Sequence, residues 1–81
     1  MITVVVSSKS DFKTLYNQRA AISYDSFLNG YVSPDVKTDR DGVAKIDVEH
    51  RRNEKGKVYV NGRVVHEGYI ESFMSVSIVY P

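Results

Sequence analysis

Eighty-one residues make one domain at most, with a thin core: a chain this short buries roughly 60–65% of its extended surface on folding. Eleven basic against ten acidic side chains leave a net charge of +1, too little for a global field that gathers nucleic acid or anionic membrane. With no cysteine there is no disulfide framework, zinc-thiolate site or thiol nucleophile, and no run approaches the roughly 20 apolar residues of a membrane span.

Residues 2–6 carry four apolar side chains and a threonine and read as a buried strand bounded by Ser7 and Ser8. The run follows Met1 with no basic segment, so it is not a signal peptide; a complete gene product of this kind is expected in the cytoplasm, whereas for an excised module the compartment stays open. Residues 10–18 have two readings. Ser10 can cap a short helix with Phe12, Leu15 and Tyr16 on one face, or the segment is a loop whose aromatic residues plug one end of a sandwich. Residues 19–25 alternate Ala20, Ile22 and Tyr24 against Arg19, Ala21 and Ser23, the pattern of a half-buried strand. A wide turn follows around Asn29-Gly30, apolar enough at Phe27, Leu28 and Tyr31 to pack on the core.

Val36 and Thr38 lead into Asp39-Arg40-Asp41-Gly42, where short carboxylates suit a tight turn and glycine supplies a positive φ. Ala44, Ile46 and Val48 then alternate with charged residues, giving a strand with one wet face. Residues 49–56 hold six ionisable side chains and no apolar one, and are expected to form a solvated, projecting loop.

Asn61-Gly62 sits between two β-branched and aromatic arms, which predicts a hairpin with a two-residue type I′ turn. Regular alternation then places Val58, Val60 and Val65 on the core face with Arg63 at its rim, and Tyr59, Asn61, Val64 and His66 on the other. Gly68 interrupts the pattern, and residues 69–71 read as a short strand or as the hairpin arm continuing past a bulge. Residues 73–80 alternate Met74, Val76, Ile78 and Tyr80 with Phe73, Ser75, Ser77 and Val79, a long and mostly buried last strand; Pro81 cannot extend it. The whole is expected to be all-β, a small antiparallel sandwich of six or seven strands in a single domain spanning residues 1–81, with the first and last strands together in the middle. A small barrel is the alternative.

At Thr38-Asp39-Arg40-Asp41-Gly42-Val43-Ala44-Lys45-Ile46, followed by Val58-Tyr59-Val60-Asn61-Gly62, the chain resembles the prealbumin-like β-sandwiches, which include the carboxypeptidase-regulatory-like and Cna protein B-type repeats. The resemblance covers about half the chain and implies a two-sheet domain presenting a carrier or ligand surface. The internal Lys–Asn crosslink of some Cna protein B-type domains is not implied, because residues 2–6 lack lysine and residues 73–80 lack asparagine. Nor is the activity of the related hydroxyisourate hydrolases, whose Tyr-Arg-Gly-Ser ending is replaced here by Ile78-Val79-Tyr80-Pro81.

No residues stand out as catalytic, cofactor-binding or metal-binding. The two histidines, His50 and His66, have no serine and carboxylate at motif spacing. Asp35, Asp39, Asp41 and Gly42 look like a calcium loop, but the twelfth position is Ile46 or His50 rather than glutamate, so a β-turn is the better reading. Six tyrosines exceed what so small a core can bury with satisfied hydroxyls, which leaves some for a binding surface. These features point to a non-enzymatic module that binds a protein partner, or itself, through Tyr59, Val64, His66 and Arg63 on the hairpin or through an edge strand. The alternative is a small barrel binding single-stranded nucleic acid through Arg51, Arg52, Tyr59 and Arg63; the interleaved Glu49, Glu54 and Glu67 weigh against it.

Overall fold

A computed structural model describes residues 1–26 and 32–80. The expected turn with Phe27, Leu28, Asn29, Gly30 and Tyr31 lies outside the described residues, as does Pro81. The described residues form seven strands: β1 (Ile2–Ser8), β2 (Arg19–Tyr24), β3 (Val36–Lys37), β4 (Val43–Ile46), β5 (Lys55–Val60), β6 (Arg63–Tyr69) and β7 (Phe73–Ile78). They make two sheets, ordered β4-β1-β7 and β3-β2-β5-β6, which pack as an open sandwich and not as a closed barrel. Every pairing is antiparallel except β1 with β7.

The most apolar strand lies at the centre of its sheet. Ile2, Val4 and Val6 of β1 are wholly buried and meet Ala20, Ile22 and Tyr24 of β2 and Val58 and Val60 of β5 in one core cluster. The first and last strands do pair, Val4 beside Met74 and Val6 beside Val76, but β7 is an edge strand rather than a middle one. Only Met74 and Val76 of β7 are buried; Phe73, Val79 and Tyr80 are exposed, so the last strand is less covered than its hydrophobicity predicts. The converse holds for β2, whose outer face is also buried. Tyr59 sits opposite Ala21, its hydroxyl sharing a hydrogen bond of 3.3 Å with Ser23, so that the aromatic ring replaces solvent over the strand.

Residues 10–18 contain no helix. Phe12 and Asn17 adopt left-handed φ values of 60° and 63°, which no helical turn accommodates, and the segment instead folds back on β1. Ser8 N–H donates to Lys13 C=O and Leu15 N–H to Val6 C=O, so β1 satisfies the groups a helix would have paired internally. Leu15 is buried, while Phe12 and Tyr16 are exposed rather than plugging an end of the sandwich.

The turn before β4 follows its sequence closely. Asp39 Oδ1 accepts from the N–H groups of Asp41 at 2.8 Å and Val43 at 3.0 Å, the backbone bonds expected of a short carboxylate in a tight turn. No group of three or more metal-ligating side chains occurs among the described residues. Gly42 has φ 75° and lies against Thr14 and Val6 C=O, so the position needs both the left-handed backbone and the missing side chain.

Candidate functional site

The two sheets meet on unlike sides. β3 and β4 approach each other along one side, and β6 and β7 run along the other. On the second side an open groove of about 670 Å³ lies between the start of β6 and the end of β7. Its apolar walls are Val60, Val64 and Val65 on one sheet and Ile78 with the following Val79 on the other. Val64 is 44% exposed and Val79 is 79% exposed, large apolar surface for positions beside a core. Lys9 and Arg63 supply the charge, and no carboxylate is among the described residues that line the groove.

The hairpin that carries Val64 and Arg63 is built as its turn predicts. Asn61 and Gly62 have φ values of 53° and 82°, as a type I′ turn requires, and Val60 pairs with Arg63 and Tyr59 with Val64. Asn61 is also tied down, its Oδ1 accepting from Arg19 N–H at 3.0 Å and its amide donating to Gln18 Oε1 at 2.8 Å. The turn is therefore held against β2 and presents its arms in fixed register.

Beyond Val64 the register departs from simple alternation. A bulge leaves Val65 without a partner, and Val58 faces His66 instead of Val65. The extra residue moves His66 off the Tyr59 and Val64 face and onto that of the buried Val58, while Val65 still packs against the core. His66 Nε2 bonds Tyr69 C=O at 3.0 Å, a local contact within the strand. Tyr59 is half-buried and its hydroxyl serves Ser23. Of the four residues expected to face a partner, the structure brings Val64 and Arg63 into the groove and gives Tyr59 and His66 structural contacts.

The cations of the nucleic-acid alternative do not converge. Arg51 and Arg52 precede β5 and Arg63 follows it, so the strand's six residues separate them by roughly 20 Å. Arg51 is engaged locally: its N–H donates to Tyr24 OH at 2.9 Å, its guanidinium lies over the Tyr24 ring at 5.5 Å, and it pairs with Glu54 at 3.5 Å. His50 Nε2 bonds Ile70 C=O at 3.0 Å. Far from projecting, the charged segment packs back over Tyr24 and Ile70, because half-burying Arg51 and His50 there satisfies the tyrosine hydroxyl and a backbone carbonyl.

Lys9 and the end of β7 also line the groove, although the sequence reading does not single them out. Lys9 enters because its N–H donates to Ile78 C=O, which fixes the turn after β1 against β7. Compared with protein-family models, with curated proteins and with solved structures, the chain has no match. No helix among the described residues is long and apolar enough to cross a membrane.

Proposed function

We propose that this chain is a non-enzymatic β-sandwich module that binds a protein partner along the open side formed by β6 and β7. The observation that carries the reading is the groove itself: exposed Val64 and Val79 beside Arg63 and Lys9, on a side where two strand edges lie together. Apolar surface with an arginine at its rim is what partner-binding surfaces concentrate. The prealbumin-like reading belongs to the same proposal. It is supported by the two-sheet architecture and by the work done by the matching residues: Thr38 is buried, Asp39 holds the turn and Gly42 fits a space without room for a side chain.

Capture of partners from a lysate of the source organism by the tagged chain tests this, with nuclease-treated and high-salt arms in parallel and Val64→Lys beside the wild type. The expected result is a protein recovered in all arms by the wild type and reduced about tenfold by Val64→Lys, since a buried lysine opposes association by more than 1.4 kcal/mol. Val64 is exposed, so the substitution leaves the thermal midpoint nearly unchanged. Undiminished recovery by Val64→Lys contradicts the assignment of this face. Recovery that needs intact nucleic acid and low salt transfers the function to nucleic-acid binding.

A further inference from the structure

Natural sheets protect their edges with short strands, charges, prolines or bulges. Three edges here do so. β3 is two residues long, β4 carries exposed Lys45, and β6 has Arg63, Glu67 and the bulge at Val65. The fourth edge, β7, is six residues without a charge, proline, glycine or register shift.

The backbone of β7 can be divided by its ladder to β1. Thr3 N–H donates to Ser72 C=O and Lys9 N–H to Ile78 C=O, with Thr3 beside Phe73 and Ser8 beside Ile78 in parallel register. In such a ladder alternate residues turn both backbone groups to the same neighbour. Met74, Val76 and Ile78 therefore face β1, and Phe73, Ser75 and Ser77 turn their N–H and C=O groups outward. No described strand pairs with that outward row. Among the described residues the sandwich thus sets three strands against four, and the groove opens beside the position that would complete the smaller sheet.

We infer that the outer edge of β7 takes the extended C-terminal segment of a partner protein, as a fourth strand parallel to β7. This rests on the interaction-module reading and names the edge and the kind of partner. Parallel addition brings the incoming chain end to the C-terminal end of β7, where Lys9 and Arg63 line the groove with no described carboxylate beside them. The terminal carboxylate lies there. Alternate apolar side chains of the segment cover Val65 and Ile78, which are only partly buried against the core. The segment is uncharged along its length because β7 offers no charge to meet. Backbone bonds supply the affinity and make it tolerant of sequence, as in other strand additions.

The probe is a synthetic octapeptide of alternating valine and threonine with a free C-terminal carboxylate, titrated into the full chain and followed by amide chemical shifts. The expected result is saturable shifts at Phe73, Ser75 and Ser77 below about 1 mM, and binding about tenfold weaker for the C-terminal carboxamide. Ser75→Pro removes an outward N–H while leaving the bonds to β1, so it abolishes binding without unfolding the chain. Should that variant not fold, a peptide N-methylated at the amides facing β7 reports the same bonds from the ligand's side and is expected not to bind. Absence of shifts at β7, or equal affinity of acid and carboxamide, overturns the inference. If β7 is unshifted while Val64→Lys still loses the captured partner, the edge assignment falls and the interaction-module reading stands. If the peptide binds and Val64→Lys changes nothing, the edge stands and the Val64 face falls.

Discussion

Gly56→Ala is expected to cost about 3 kcal/mol, a large share of the roughly 4–12 kcal/mol that a chain of this length commands. Gly56 lies in β5 between Tyr24 of β2 and Gly68 of β6, and it is buried. A methyl group there would overlap Ser23 C=O and would lie 3.0 Å from Tyr24 Cα and 3.1 Å from Ile70 Cγ1. Two of those three neighbours are backbone of a paired strand, so no change of rotamer clears the space. Either β2 and β5 separate at that point or Ile70 withdraws from the core. The urea midpoint should fall by roughly 2 M, given slopes of about 1–3 kcal/mol per M for small domains. An unchanged midpoint would show that the close approach of these strands is absent in solution.

Thr38→Val, nearly equal in volume, is expected to cost about 2–4 kcal/mol. The Thr38 hydroxyl is buried and works in both directions, donating to Leu15 C=O at 2.6 Å and accepting from Gln18 N–H at 2.9 Å. It thereby ties the segment after β1 to the one before β4. Valine keeps the packing and strands two backbone groups away from water, which is the costly half of losing a hydrogen bond. Thr38→Ser retains the hydroxyl and loses one methyl, so it should cost about 1 kcal/mol. The contrast is read from the two denaturation midpoints; equal effects would assign Thr38 to packing alone.

The tight turns are where the sequence is a good guide. Asn61-Gly62 and Asp39 to Gly42 act through local geometry, so their turns were legible from residue type alone. Thr38 was legible as part of a motif, but its reason is a pair of bonds to residues 20 and 23 positions away, which no local pattern carries. Residues 10–18 left helix and loop open because the choice depends on whether β1 offers its backbone edge, and it does. The bulge at Val65 was invisible for a related reason. One residue inserted in register changes the face of all that follow, so simple alternation puts His66 on the opposite side of the strand from where it lies.

The candidate site divides the same way. Val64 and Arg63 were found from the hairpin, whose faces are set by its turn. Lys9 and the outer edge of β7 were missed because alternating serine and apolar residues look the same on an edge strand as on a covered one. The usable signal was negative: residues 73–80 contain no charge to guard an edge.

Strand addition requires that β7 keep one row of backbone groups unpaired beside the groove. Native-state amide hydrogen exchange of the free chain, resolved by residue, tests it directly. The account predicts alternation along β7: Met74, Val76 and Ile78 protected with the core, and Ser75 and Ser77 exchanging at least about a hundredfold faster. Uniform protection of all five amides would mean that the edge is already paired in the free chain, and would contradict strand addition at β7.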